Sequence, residues 1–259
     1  MSLLASLIWH QMPFNKSNIL EKALALRNSS CLSFLDLCSL CINPRSKTHS
    51  AIIEHVHDSG TIGWLTDDVV DSYIARTTEL CNSLQSSIKF GCTECMTIVQ
   101  VLQGKKFKNI SKSFADILTE PCGSLRDHVF MPVLWKHHFL LLWYCKKNNE
   151  VILYDSTSPV DTYLVSSVEK FLLSLLSNFC SSPPALKVDH MVEQKDSSSC
   201  GGCVCYTADA IASNILEVHH SDFHAGDCRM WILFALVQHS KRCHMLINTF
   251  LQNKHYAEC

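Results

Sequence analysis

The segment EQKDSSSCGGCVCYTADAIA, residues 193–212, is the part of the sequence that says most about the fold. Its first half is a polar loop, and its second half is an apolar segment with the composition of a buried helix. The junction lies at Cys200, so this cysteine is expected at or near a helix N-terminus, where the helix dipole and free backbone N–H groups favour thiolate over thiol. Gly201 and Gly202 would leave room for a substrate backbone to approach. Cys200 is therefore the candidate nucleophile.

Two apolar segments upstream supply a candidate base and a carboxylate that would orient it. HFLLLWYC, residues 138–145, and EVILYDS, residues 150–156, have the apolar runs of buried strands and are joined by the polar turn KKNN. In such a hairpin His138 and Asp155 fall roughly opposite each other, so local geometry places an imidazole beside a carboxylate. His137 competes with His138, and because strand residues alternate between faces, only one of the two can face the cysteine. Asp155 has an alternative role as a turn-capping residue of the segment DSTSP.

The order His, Asp, Gln, Cys resembles that of the Ulp/SENP family of ubiquitin-like-protein proteases, which includes SUMO and NEDD8 proteases and has the adenovirus protease as a distant relative. Here the four residues are His138, Asp155, Gln194 and Cys200. The histidine and the aspartate are 17 positions apart, and the glutamine precedes the cysteine by six, as in the family. Trp-Leu-Thr-Asp at 64–67 also resembles the family's Trp-Leu-Asn-Asp element.

The resemblance implies a role for each of the four residues. Cys200 would be the nucleophile, and His138 would take its proton and later return one to the leaving amine. Asp155 would accept a hydrogen bond from the other imidazole nitrogen and hold the tautomer. The backbone N–H of Cys200 and the side-chain amide of Gln194 would form an oxyanion hole. The family spacing thus selects His138 rather than His137.

The resemblance also implies a narrow channel for the substrate. Trp64 and Phe139 would form opposite walls of a tunnel that admits a Gly-Gly tail, since only residues without side chains fit such a tunnel. Asp67 would lie near the tunnel and pair with a basic residue of the modifier, and it is equally suited to cap the helix that follows. The chain departs from the family pattern at Phe139, where Trp is usual, and at Ser199, where Asp is usual.

The predicted fold is α+β, a papain-like cysteine protease fold whose central mixed sheet is flanked by helices and whose nucleophile lies at a helix N-terminus. Residues 1–55 are predicted to be an N-terminal accessory segment, and residues 56–259 the Ulp-type protease domain. The segment 90–120 has a mixed pattern that does not place it. Strands are predicted at 127–135, 138–145, 150–156 and 186–193, and helices at 66–80, 162–180, 201–215 and 228–252.

Composition limits the remaining classes of protein. Apolar residues make up 47% and charged residues 18% of the chain, as in a compact globular protein, and the net charge of −2 provides no basic field for nucleic acid. No apolar stretch approaches the roughly 18 residues of a membrane span, and MSLLASLIW lacks the basic residues of a signal peptide. The odd number of cysteines, 15, argues against a disulfide framework, and a thiolate nucleophile needs a reducing compartment to stay active. We therefore expect an intracellular protein, nuclear or cytoplasmic, and we expect it to be a monomer.

Several cysteine and histidine groups could be taken for metal ligands. The CxxC pairs at Cys38/Cys41 and Cys92/Cys95 are about 50 residues apart, too far for the short loop of a compact zinc ribbon. The segment 219–228, HHSDFHAGDC, has the composition of a polar loop before the last helix. We expect no metal and no cofactor, and we interpret most of the cysteines as small buried apolar residues.

These observations predict a cysteine peptidase or isopeptidase that cleaves after the Gly-Gly C-terminus of a ubiquitin-like modifier, SUMO- or NEDD8-like, which would be its partner. Three alternatives use the same site: a viral or mobile-element maturation protease, a catalytically weak modifier-binding module, and an acyltransferase. A thiol–disulfide oxidoreductase that uses Cys200 and Cys203 is a further alternative, although this CxxC lies late in the chain rather than after an early strand.

Overall fold

A computed structural model describes residues 65–104, 114–190, 193–194, 199–216 and 232. The accessory segment predicted at 1–55, Trp64, and all of the helix predicted at 228–252 except Ile232 lie outside the described residues. The division at residue 55 therefore stays a prediction.

A five-stranded sheet forms the centre of the molecule. Its strands are β1 Phe90–Cys92, β2 His128–Trp135, β3 His138–Cys145, β4 Glu150–Asp155 and β5 Ala185–His190. They lie in the order β1-β2-β3-β4-β5. The pairs β1–β2 and β4–β5 are parallel, whereas β2–β3 and β3–β4 are antiparallel. The predicted α+β class with a central mixed sheet is confirmed.

Four helices whose bounds are described accompany the sheet, besides a short helical stretch at residues 114–118. They are α1 Asp67–Leu84, α2 Cys95–Leu102, α3, and α4 Cys200–Ile215. We use α3 for three consecutive pieces, an α-helix Thr162–Ser167, a π-helical stretch Val168–Leu173 and a last turn Ser174–Leu176. The predicted helix at 162–180 is thus present but ends four residues earlier, ahead of the Ser-Ser-Pro-Pro segment.

Both faces of β2, β3 and β4 are largely buried, as their apolar runs predicted, whereas the edge strand β5 is largely exposed. Alternate residues of β3 enter different cores, because successive strand side chains point to opposite faces. Phe139 and Leu141 pack with α1 and α4, whereas Leu140 and Leu142 pack with α2 and α3. The helix that begins with Cys200 therefore lies against one face of the central strand β3, and its first residue lies beside the start of that strand.

The segment 90–120, which the sequence did not place, holds β1 and α2. β1 has only three residues, Phe90–Cys92, too few for a periodic signal. It is held by its neighbours: Asn82 of α1 accepts from Phe90 N through Oδ1 (2.9 Å) and donates to Phe90 O through Nδ2 (3.0 Å). The side chain of Asn82, from a separate helix, therefore satisfies backbone hydrogen-bonding groups of β1 that a neighbouring strand would otherwise satisfy.

The predicted alternation of His137 and His138 is wrong. His137 is not a strand residue: it lies with Lys136 in a two-residue turn between β2 and β3, at φ 66° and 48° respectively. Two central residues at positive φ match the twist of a hairpin, a position where Asn or Gly is usual. The sequence Lys-His carries no such signal, which is why the turn was missed.

Candidate active site

Cys200 is the first residue of α4, as its position between a polar loop and an apolar segment predicted. It is 2% exposed and packs with the core between α4, α1 and β3. Burial alone raises the pKa of this thiol, but a hydrogen bond from His138, the backbone N–H of Phe139 and the charge of His138 outweigh it and lower the pKa from its ordinary value. The arrangement favours a thiolate at a helix N-terminus.

His138 and Asp155 are in direct contact. His138 Nε2 lies 2.7 Å from Asp155 Oδ1, with the histidine at the first position of β3 and the aspartate at the last position of β4. The β3–β4 ladder ends at the pair Leu141–Tyr154, so Asp155 lies one residue and His138 three residues beyond it. Because Nε2 faces the carboxylate, Nδ1 is the nitrogen left for the thiol of Cys200.

Asp155 is anchored by its own turn as well as by the histidine. Its Oδ1 accepts hydrogen bonds from Thr157 N (2.8 Å) and Thr157 Oγ1 (2.9 Å), so the turn-capping role considered for this residue coexists with the contact to His138. Asp155 is 3% exposed, and although burial raises its pKa, the hydrogen bonds from His138 and Thr157 lower it overall. The carboxylate therefore stays charged opposite the imidazole.

The charge of His138 follows from these neighbours. Partial burial lowers the pKa of the imidazole, but the hydrogen bonds and charges of Asp155 and Cys200 raise it to about 9. Near neutral pH the three groups thus favour an imidazolium between a carboxylate and a thiolate. Such a pair can attack a carbonyl carbon and supply a proton to a leaving group.

Gln194 is tied to the same loop. Its backbone N donates to Ser156 O (3.1 Å), and its side-chain Oε1 accepts from Ser156 Oγ (3.0 Å). Since the amide oxygen is occupied by a donor, the amide nitrogen is the group left to donate to a substrate oxygen. Ser156 and Thr157 were not singled out from the sequence, and the only signal for them is the turn-forming composition of DSTSP.

The predicted substrate-binding residues are only partly described. Asp67 is the first residue of α1, and Thr66 rather than Asp67 is its N-cap. A Cβ at Gly201 would lie 3.1 Å from Cβ of Leu65 and 3.3 Å from Cγ2 of Val70, so protein rather than substrate fills the space beside this glycine. The segment that follows Trp64 therefore packs directly against the start of α4.

Phe139 is more enclosed than a tunnel wall needs to be. The ring is 2% exposed and belongs to the same core cluster as Cys200 and Leu141. Its place in a substrate tunnel stays a prediction.

We expect Phe139→Trp to lower the free energy of unfolding by about 1–3 kcal/mol, because a larger ring must be fitted into a packed core. Urea unfolding of the variant beside the wild type measures this directly. An unchanged midpoint together with higher activity would mean instead that the ring has free space on the substrate side, as a tunnel wall would.

Neither a metal centre nor a membrane span is found within the described residues. They hold no group of three or more His, Cys, Asp or Glu side chains arranged to bind a metal ion. None of their helices is both long and apolar enough to cross a bilayer.

Comparison with known proteins places the chain among cysteine proteases of one family. The model of the Ulp1 protease family, C-terminal catalytic domain, matches residues 63–234. No curated protein sequence matches significantly.

Solved structures share the fold at low identity. One of the SUMO protease Ulp1, with its catalytic cysteine oxidised to a sulfenic acid, is 15% identical with a TM-score of 0.57, over 88% of this chain and 95% of that one. The Ulp1 protease domain in complex with Smt3, the yeast ortholog of SUMO, is 16% identical with a TM-score of 0.51, over 68% and 76%. A de-sumoylating protease is 13% identical with a TM-score of 0.50, over 77% and 86%.

Proposed function

Because this chain belongs to the Ulp1 protease family and is therefore a cysteine peptidase, we propose that it cleaves after the C-terminal Gly-Gly of a ubiquitin-like modifier, SUMO- or NEDD8-like. The observation that carries the proposal is the contact of His138 Nε2 with Asp155 Oδ1 at 2.7 Å, beside a cysteine at the first position of a helix. The substrate would be a modifier precursor or a modifier joined to a lysine of another protein.

In the proposed mechanism the thiolate of Cys200 attacks the carbonyl carbon of the terminal glycine. The oxyanion that forms accepts hydrogen bonds from Cys200 N–H and the side-chain amide of Gln194. As the C–N bond breaks, His138 gives its proton to the leaving amine, which leaves the modifier bound to Cys200 as a thioester. His138 then takes a proton from water, and the resulting hydroxide attacks the thioester. The C–S bond breaks, the modifier departs as a carboxylic acid that loses its proton to solvent, and the Cys200 thiolate and the His138 imidazolium are restored.

The start of α1 and the comparison with Ulp1 bear on the proposal of a Gly-Gly tail as the bound segment. Leu65 packs on Gly201 next to the nucleophile, and Leu65 follows Trp64, the residue proposed as one wall of the tunnel. Asp67, at the start of α1, is proposed to pair with a basic residue of the modifier. A related Ulp1 structure contains the SUMO protein Smt3, which supports a modifier of this kind as substrate here.

A panel of C-terminal vinyl sulfone probes of SUMO, NEDD8 and ubiquitin tests the proposal. We expect one of the SUMO or NEDD8 probes to label the wild-type protein at Cys200, and Cys200→Ala to remain unlabelled. A substrate in which either terminal glycine is replaced by a bulkier residue should not be cleaved.

Other results would favour the alternatives. Cleavage of short peptides after small residues, with no labelling by any of the three probes, would favour a viral-type maturation protease. Tight binding of a modifier without labelling would indicate a weak binding module instead. Acetyl-CoA turnover at Cys200 would point to acyl transfer.

A further inference from the structure

The two carboxylate oxygens of Asp161 accept hydrogen bonds from two different elements, α3 and the β2–β3 hairpin. Oδ1 accepts hydrogen bonds from the backbone N–H groups of Tyr163 (2.8 Å) and Leu164 (3.4 Å), which caps α3. Oδ2 accepts from Trp135 Nε1 (3.2 Å) and Lys136 Nζ (2.8 Å). One carboxylate therefore ties the β2–β3 hairpin to the start of α3.

Both ends of this tie adjoin the proposed catalytic pair. Trp135 is the partner of His138 on the last rung of the β2–β3 ladder. Lys136 begins the two-residue turn that leads into His138. Asp161 closes the loop that begins after Asp155 at the end of β4. The tie thus runs from the hairpin that carries the base to the loop that follows the acid.

The turn that Asp161 contacts has a backbone conformation that is unfavourable for its two residues. Lys136 and His137 both have positive φ, which costs non-glycine residues energy and persists where the surroundings hold it. The ring of Tyr163 stacks on Trp135 at 6.0 Å and lies 5.9 Å from Lys136 Nζ, which adds to the same contact. The turn of the β2–β3 hairpin is therefore contacted by two side chains at the start of α3, the carboxylate of Asp161 and the ring of Tyr163.

We propose that Asp161 is a positioning residue that holds the β2–β3 turn against the loop after Asp155 and so keeps His138 in hydrogen-bond contact with Asp155. The inference rests on the catalytic roles proposed above for His138, Asp155 and Cys200. It extends them to a group that acts through the hairpin rather than on the substrate.

The variant Asp161→Asn separates this role from helix capping. Asparagine caps a helix about as well as aspartate, so the Oδ1 contacts to the helix can remain. Its second group is an NH₂ donor, which would face the donors of Trp135 and Lys136. The hydrogen bond from Lys136 chiefly lowers the pKa of Asp161 to about 2, so the wild-type carboxylate is charged throughout a titration near neutral pH.

The test is the pH dependence of Cys200 alkylation by iodoacetamide, followed by mass spectrometry of the peptide that contains it. The titratable groups facing His138 are Asp155 and Cys200. A loosened His138 is held less firmly as a cation, so the pKa of Cys200 rises. We expect the midpoint for Asp161→Asn to move up by about one pH unit. With a fluorogenic SUMO C-terminal amide, kcat should fall about 10- to 100-fold at nearly constant KM.

Glu150→Gln is the matched control. It makes the same carboxylate-to-amide change in an ion pair with another exposed lysine, Lys187, at the opposite end of β4 from Asp155. Both variants should lower the melting temperature, but Glu150→Gln should leave the alkylation midpoint and kcat unchanged. Should Asp161→Asn fail to fold, Trp135→Phe combined with Lys136→Met removes the two hairpin donors and leaves the helix cap intact, and it should give the same shift.

The outcomes separate the two proposals. A wild-type midpoint depressed below that of an ordinary thiol, with the same midpoint and kcat in Asp161→Asn, would overturn the role of Asp161 alone. An equal shift in Asp161→Asn and Glu150→Gln would also overturn it, because the effect would then follow from lost stability. A wild-type Cys200 that titrates as an ordinary thiol would overturn the proposed catalytic pair and, with it, the positioning role.

Discussion

Cys200→Ser is expected to reduce turnover of a SUMO or NEDD8 C-terminal substrate by at least about 10³-fold while the protein still folds. A serine hydroxyl is not ionised by the neighbouring imidazolium, whereas the pKa of the Cys200 thiol is already lowered by His138. The oxygen is also smaller than sulfur and keeps a hydrogen-bonding partner in His138, so the core around it should persist. Initial rates at saturating substrate, with circular dichroism to check the fold, measure both expectations.

Cys203→Ser makes the same chemical change one turn further along α4. Cys203 is fully buried, so a hydroxyl there should cost about 1–3 kcal/mol of unfolding free energy, but the folded protein should keep its activity. Equal loss of activity in both variants would favour the thiol–disulfide alternative. Wild-type turnover by Cys200→Ser would remove the nucleophile assignment.

His138→Ala is expected to lower kcat/KM by about 10²–10⁴-fold. The variant loses the base and proton donor, and the pKa of Cys200 rises because it loses the hydrogen bond and charge that lower it. Asp155 remains paired with the backbone and hydroxyl of Thr157, so the buried carboxylate should not destabilise the fold severely. Iodoacetamide labelling of Cys200 near pH 6 should slow in parallel with kcat/KM.

His137→Asn is the control for the neighbouring histidine. Asparagine tolerates the positive φ of this turn position, so the hairpin should keep its shape. We expect activity close to that of the wild type. If His137→Asn were inactive and His138→Ala active, the histidine that faces the thiol would have been misidentified.

Local features of the chain were sufficient to predict much of the fold. The apolar runs of β2, β3 and β4 identified three strands buried on both faces, and the change from polar to apolar residues at Cys200 located the start of α4. These features could be predicted because each depends on residues that are neighbours in the sequence. The contact of His138 with Asp155 belongs to the same group, since one tight hairpin brings them together. Their catalytic roles stay predictions.

Other features depended on residues far apart in the chain. β1 has three residues and is stabilised by Asn82 of α1, so it leaves no periodic pattern in the sequence. Leu65 packs against Gly201, a contact between residues far apart in the chain that no local pattern indicates. The place of His137 was decided by a strained turn whose support comes from Asp161, 24 positions further along. The residue types and local patterns of the chain predicted the candidate reactive groups and the elements that carry His138, Asp155 and Cys200. How those elements are held in register could be seen only in the folded protein, because it depends on side chains that meet across the fold.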